Sequence, residues 1–515
     1  MKSIKRSLRE LLGTDYMERV IAAATLLNGL DKEEAVRLAD EKIDFIPEDF
    51  IARMDGFLSR VGEQVIPKTQ FSSAGAATAA FQKASNYNAS PVGGLGYLRL
   101  GEDGRLYLSS KSEHYHAPLG HSFPGFKLLE NAGNLGITNA AHNNSRGYIT
   151  RLLERELVRA VNGIPKEDEE TLEQVLNSRQ PHVLSRVINL ETGSLACEAG
   201  IKMMLARFYK LEDNSPEAKY ADRIPVFFVM ADNEGGAKAN YHGTTVLAQT
   251  LRDLWPGYYK KMCEAEILKV CPVTINDFKD FKTKYEKYNK PPYKAAGFIH
   301  EIIMMNYGGI RLQKDFLKQA YALCHENDTP VMCDEIQSCM WYPGMVLFRE
   351  YGLDPDLVVI GKGFPGGQYA ASRIITTAEM DCLSLFGALV TNGQEELASL
   401  AYLITMEFAR ENAEHIRETG AYYESKLKGL AEKYPSLIER IEGKGHLSGI
   451  FFFEADKVIL FTRNLNKGCI DISTQTYKAK CPPAALTKPP IIATKAMIDF
   501  LIGKMDKALN IISEG

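Results

Sequence analysis

The chain has 515 residues, 45% hydrophobic and 24% charged, with 61 Lys+Arg against 65 Asp+Glu and a formal charge of −4. This is the composition of a globular protein long enough for about three domains, or for a large α/β unit with a smaller one appended, and it excludes disordered and collagen-like chains. Basic and acidic residues are interspersed, so no surface for a nucleic-acid backbone is expected.

In chain order, the N-terminus MKSIKRSLRELLGTDYM reaches Glu10 before any apolar run and reads as an amphipathic helix, not a signal peptide. Residues 1 to about 90 carry helical patterning with charged faces, Lys32 to Lys42 and Glu48 to Val61, and are read as a helical extension. The small-residue stretch Ser72 to Ala80 and the turn-rich Asn86 to Gly96 follow as a linker. Tyr97 to Leu100 and Arg105 to Leu108 alternate about Gly101-Glu102-Asp103-Gly104, as a β-hairpin does.

From about residue 145, amphipathic helices (Leu195 to Phe208, Leu312 to Glu326) alternate with short apolar runs: Ile224 to Met230, Ala295 to Ile299, Thr329 to Cys333 and Leu357 to Ile360. Such runs are what a parallel sheet covered on both faces requires. The longest uninterrupted apolar run, Val226 to Ala231, is far below the ~20 residues that span a bilayer, so no membrane partner is expected. After residue 395 the pattern is helical from Gln394 to Leu430, strand-like at Ser448 to Glu454 and helical again from Thr494 to Ser513. The reading is an α/β fold: a large, mostly parallel sheet covered by helices, a smaller α+β domain and the helical extension. The boundaries are residues 1–90 for the extension, 91–145 for an N-terminal segment of the small domain, 146–394 for the large domain and 395–515 for the C-terminal small domain. Nine cysteines without a CxxC pair suit a reducing, cytoplasmic location and give no zinc or disulfide framework.

Four motifs carry chemistry. Gly361-Lys362-Gly363-Phe364-Pro365-Gly366 matches the spacing G-x-G-x-x-G, but a strand pattern follows it where a dinucleotide site needs a helix. Its other readings are a lysine desolvated at the carboxyl end of a buried strand, able to attack carbonyl carbon, and a solvated lysine in a turn. Asp334-Glu335-Ile336-Gln337 follows an apolar strand and needs a cationic or hydrogen-bonding partner unless Asp334 caps a turn. Thr192 to Ala199 opens a helix with small residues, as either an anion site or an ordinary cap. Tyr241-His242-Gly243-Thr244-Thr245 sets an aromatic beside a glycine, as core packing also does.

The order and spacing of these motifs resemble the class III aminotransferases, pyridoxal-phosphate enzymes of the aspartate-aminotransferase fold (fold type I). Glu191 to Ala199 is similar to N-S-G-T-E-A-x-E-A, Tyr241 to Thr245 to F/Y-H-G-R-T, Asp334 to Cys339 to D-E-V-Q-T-G, and Gly361 to Gly367 to A/G-K-G-x-x-G-G. Gly352 to Asp356 matches G-x-x-P-D, and the likeness covers roughly residues 115 to 510.

The resemblance implies pyridoxal 5'-phosphate, carried by Lys362 as a Schiff base. Asp334 then pairs with the pyridine nitrogen, Ile336 and Tyr241 with its adjoining His242 flank the ring, and Gln337 lies near the ring hydroxyl. Gly193 and Ser194 hold the phosphate, Glu301 is the active-site glutamate, and Thr391 reaches the phosphate of the neighbouring subunit of a homodimer. Lys362 and Asp334 are the catalytic pair: an anionic Asp334 keeps the ring nitrogen protonated, and the freed lysine amine moves the substrate proton. The implied reaction transfers an amino group between an amine or amino acid and an oxo acid. An isomerase on the same cofactor (aminomutase or racemase) is the alternative, and a nicotinamide oxidoreductase the more distant one.

Four departures from the family stand out: Leu195 replaces a glutamate, Thr244 replaces an arginine, Asn306 stands where many members have a second glutamate, and Leu486 stands three before Pro489, where amino-acid-specific members carry an arginine for the α-carboxylate. His114, His116 and His121 lack a completing carboxylate or cysteine and are read as pocket-lining or hydrogen-bonded side chains; no metal is expected.

Overall fold

The computed structural model describes all residues except 71, 72, 74, 112–115, 143, 232–238, 253, 477–481 and 515. Two compact units emerge: Gly136–Met406, and Met1–Leu135 together with Glu407–Gly515.

The large unit is built on seven strands in the order Leu184–Leu190, Ser372–Thr377, Leu357–Ile360, Val331–Asp334, Tyr293–His300, Ile224–Ala231, Lys269–Thr274. The five from Leu357–Ile360 onward are parallel. Ser372–Thr377 is antiparallel to both of its neighbours, so Leu184–Leu190 points with the other five. Six carboxyl ends therefore share one edge of the sheet.

The apolar runs are continuous because both faces are covered. On one face, Ile299, Met332, Leu357 and Ile374 pack against Ala196, Ile201 and Met204 of the Gly193–Leu205 helix. On the other, Phe298 meets Phe281 of the Phe278–Tyr288 helix edge to face, with ring centroids 5.0 Å apart. Gly297 admits the helix on the first face: a Cβ there would lie 2.2 Å from Met204 Sδ.

In the other unit, Ser7 and Glu10 form a capping box at the start of the Leu8–Leu12 helix, and Thr14–Asn28, Lys32–Asp40 and Glu48–Gly56 are helical. Leu98–Gly101 and Leu106–Leu108 pair antiparallel as the hairpin pattern requires. A third strand, Pro91–Leu95, adds to them out of the stretch read as turns; it carries a register shift between Pro91 and Gly93, which conceals the alternation.

The helical pattern read as continuous from Gln394 to Leu430 is broken into Glu396–Glu411 and Ala413–Lys433. The break falls at Asn412, whose Oδ1 accepts the Lys2 N–H at 2.7 Å and whose Nδ2 donates to Lys2 O at 3.2 Å. A four-stranded antiparallel sheet runs Ile438–Lys444, Leu447–Phe452, Ala484–Thr487, Ser473–Gln475; only the second of these strands was legible beforehand. Among the described residues no helix is long and apolar enough to cross a membrane.

Candidate active site

The motif residues collect where the six co-directional strands end. Asp334 is the last residue of Val331–Asp334 and is 3% exposed. Such a buried carboxylate needs donors, and it has three. His242 Nδ1 donates to its Oδ2 at 2.8 Å, the Cys197 thiol approaches the same oxygen at 3.5 Å, and the Ile336 N–H donates to Oδ1 at 3.1 Å.

Lys362 lies two residues beyond Leu357–Ile360, with φ of 31°. That left-handed backbone is costly for a side-chain-bearing residue, by about 1–3 kcal/mol, and persists only where neighbours over-determine it. They do so here: a Cβ on Gly361 would lie 2.2 Å from Ser372 Oγ, and one on Gly363 would lie 2.6 Å from the Trp341 ring and 2.9 Å from Cys339 O. Cys339 Sγ donates to Gly361 O at 3.2 Å and fastens the loop.

Burial lowers the Lys362 amine below its ordinary pKa, while the charges of Glu301 and Asp334 pull it back up. Glu301, one residue past Tyr293–His300 and 2% exposed, is pushed well above the ordinary carboxyl range by burial and then by the Asp334 charge, with Lys362 opposing. The site thus combines a desolvated amine with two buried carboxyl groups.

The third wall is the start of Gly193–Leu205. Thr192 caps it by accepting the Leu195 N–H at 3.4 Å, and the first-turn N–H groups of Gly193 and Ser194 have no intrahelical acceptor, which makes the helix start a place for an anion. Ser194 Oγ accepts the Thr244 N–H at 3.1 Å, and Gly243, at φ 135°, brings its backbone so close that a Cβ would lie 2.9 Å from Ser194 Cα. This docking presents Tyr241, half-buried, with the Arg252 guanidinium 5.3 Å from its ring centroid. Burial raises the Tyr241 phenol above its ordinary pKa. Ile336 lies over Gly193, where a Cβ would come within 2.4 Å of its Cδ1.

Gly193, Ser194, Tyr241, His242, Glu301, Asp334, Ile336 and Lys362 thus share one edge, and Gln337 is buried next to Ile336. Thr391 is exposed in the Thr391–Gln394 turn; the adjacent Asn392 N–H donates to Glu191, two residues ahead of Gly193, at 3.2 Å. Two participants went unread in the sequence. Cys197 lies one helical turn beyond Gly193, a spacing that put it on the site face. Asn240 is fully buried at the same edge and its side-chain amide has no hydrogen-bond partner; its signal in the sequence was its place directly before Tyr241. His114 falls outside the described residues. His116 is exposed in a turn and His121 forms an isolated bridge with Gly96, so neither belongs to a strand.

The model of the family Aminotransferase class-III matches residues 102–509. An ornithine aminotransferase of Emericella nidulans is 27% identical over 52% of this chain and 57% of its own length. An acetylornithine aminotransferase of Methanocaldococcus jannaschii is 30% identical over 43% of this chain and 54% of its own length. The chain thus spans a little over half the length of these curated relatives. The solved ornithine aminotransferase of Toxoplasma gondii superposes with a TM-score of 0.66 at 16% identity, covering 91% of this chain and all of that one. The N-acetylornithine aminotransferase of Stenotrophomonas maltophilia gives 0.62 at 16%, covering 85% and 100%.

Pyridoxal phosphate, this family's cofactor, fits the residues present. Gly193 leaves a floor under Ile336 that a Cβ would fill, and the amine, carboxylate and helix-start donors match its aldehyde, ring nitrogen and phosphate. His242 Nε2, buried without a hydrogen-bond partner, marks the edge as polar. With its fold, its site edge and a family match over four fifths of its length, the chain belongs to the class-III aminotransferases.

Proposed function

We propose that the protein is a pyridoxal-phosphate-dependent aminotransferase that moves an amino group from an amine or amino acid to an oxo acid, with Lys362 and Asp334 as its catalytic residues. The observation that carries this reading is the Lys362 amine, desolvated at the strand-end edge that also holds Asp334 and Glu301. When bound, pyridoxal phosphate supplies an electron-withdrawing ring that takes up the electron pair of a broken substrate C–H bond.

Every other element of the reaction is assigned to the chain. Asp334, oriented by His242 and the Ile336 N–H, presents its carboxylate to the ring nitrogen and holds a proton there. Lys362 Nζ would hold the cofactor and, once freed by the incoming amine, would take the proton from the substrate Cα as a base and return it, as an acid, to the cofactor carbon two bonds away across the transferred nitrogen. Burial favours the neutral amine that this proton transfer requires. Tyr241 and Ile336 bound the ring, Gln337 serves its hydroxyl, Gly193 and Ser194 bind the phosphate, and Glu301 faces the substrate.

The relatives are named as aminotransferases acting on ornithine and acetylornithine, which favours transfer over isomerisation. We assign this chain an amino donor whose carboxylate is absent or distant from the reacting amine, because Leu486 offers no guanidinium. We read it as a cytoplasmic homodimer in which Thr391 serves the partner's phosphate site; the eight described cysteines are all free thiols, as a reducing compartment requires. The test is transfer of isotope-labelled nitrogen from a panel of amines to oxo acids. Label appearing on the oxo acid's carbon skeleton supports the proposal; label confined to the donor's own skeleton indicates an isomerase instead.

A further inference from the structure

The opposite edge of the large unit's sheet, where the co-directional strands begin, carries a second cluster of side chains. His182 precedes Leu184–Leu190, Asp356 precedes Leu357–Ile360, and His325 lies in the last turn of the Lys314–Glu326 helix. His182 Nδ1 is 2.8 Å from Asp356 Oδ1, and His325 Nε2 is 3.6 Å from Asp356 Oδ2. The two imidazole rings stack with centroids 3.7 Å apart. His325 Nε2 is buried and makes no hydrogen bond. A cavity of about 260 Å³ adjoins them, lined also by Arg207, Asp328 and Glu379.

We propose that His182, His325 and Asp356 form a binding site for a divalent transition ion of the zinc type, with water from the cavity completing its coordination. One potential ligand atom from each of the three lies within 4.8 Å of the others. Two ligands each about 2.0–2.1 Å from a tetrahedral zinc are roughly 3.3 Å apart. The 3.6 Å between His325 Nε2 and Asp356 Oδ2 is therefore close to the separation of two ligands sharing an ion, and too long for a hydrogen bond. His182 Nδ1 faces the other oxygen, Oδ1, at 2.8 Å, and that contact would open by about half an ångström to reach the roughly 3.3 Å between two ligands of one ion.

Chemistry and charge select the ion. Two imidazoles and one carboxylate suit zinc rather than magnesium or calcium, which take all-oxygen shells. Asp354 Oδ2 lies 3.8 Å from His325 Nδ1, beyond hydrogen-bond distance but on the side where a carboxylate favours a cation. Asp328, Asp356 and Glu379 disfavour an anion in the cavity, and Arg207 is drawn toward Asp328 and Glu379. Asp356 is itself fixed by the Val331 N–H at 2.8 Å, and His182 holds a left-handed backbone at φ 59°. An ion there would tie together a helix end and the starts of two strands, at the edge away from Lys362. No spacing pattern announces residues so far apart in sequence.

Cys197, His242 and Asp334 also bring three donor atoms within 4.8 Å, at the cofactor edge, so the experiment has to tell the two clusters apart. Full-length, cofactor-loaded protein is stripped with chelator, dialysed and titrated with zinc by calorimetry, with cobalt(II) absorbance reporting the ligand geometry. The expected result is one ion per chain and a rise in melting temperature. His182→Asn, chosen because asparagine tolerates positive φ, and His325→Asn should each weaken zinc binding by at least tenfold and abolish the rise while leaving amino transfer unchanged. His121→Asn and His242→Asn should bind zinc as the parent does. Failure of the parent to bind zinc, or undiminished binding by either His182→Asn or His325→Asn, overturns the proposal.

Discussion

At the scale of single residues, Asp334 is the most sharply constrained. Replacing it by Asn keeps its size and two of its hydrogen bonds but removes the charge offered to the ring nitrogen. Turnover in Asp334→Asn is expected to fall by roughly 100-fold or more, about 2.7 kcal/mol in the barrier, with the fold and part of the cofactor binding retained; steady-state rates set beside circular dichroism check this. His300 makes a separate prediction about stability. Burial lowers its imidazole to about 3, and it hydrogen-bonds Tyr321 at 2.9 Å. The unfolded chain binds a proton there below its ordinary value near 6.5 while the native state does not, so its contribution is complete above about pH 6.5 and is lost as pH falls toward 3. The slope is about 1.4 kcal/mol per pH unit. Urea midpoints between pH 7 and pH 4, which lie in this window, should fall more steeply for the parent than for His300→Phe; equal slopes would remove His300 from the account of acid sensitivity.

At the scale of elements, the docking of residues 241–245 on the Gly193–Leu205 helix depends on Gly243 having no side chain. Gly243→Ala puts a Cβ 2.9 Å from Ser194 Cα at φ 135°, a clash with backbone that no rotamer relieves. Cofactor affinity is expected to drop roughly tenfold or more, with little change in melting temperature, since the strain falls on the site wall and not on the core. The core offers the reverse case: Phe281→Ala, which vacates the edge-to-face contact with Phe298, should cost about 3–5 kcal/mol in urea unfolding.

The elements also show what was legible in the sequence. Strands buried on both faces, such as Leu357–Ile360 and Val331–Asp334 up to its terminal aspartate, announce themselves as apolar runs because both of their sides face the core. Ile438–Lys444, with the half-polar sequence IERIEGK, and the three-residue Ser473–Gln475 carry too little pattern to read. Likewise the lysine, aspartate and helix-start motifs were visible because each is contiguous. The Cys197–Asp334–His242 contacts and the His182–His325–Asp356 cluster were not, because they exist only once distant segments meet at a sheet edge.

At the scale of the whole molecule, the dimer proposed above requires Thr391 to act across subunits. Thr391→Ala should leave the sedimentation coefficient of a dimer unchanged while weakening cofactor binding by roughly tenfold, the worth of about one charge-assisted hydrogen bond. A fully active monomer would remove that role. The lysine itself is open to the most direct measurement. Cofactor-loaded protein is reduced with borohydride, digested and mapped by mass spectrometry. The expected result is a single phosphopyridoxyl label on the peptide containing Gly361-Lys362-Gly363; a label on any other lysine, or none, contradicts the assignment of Lys362 and with it the proposed reaction.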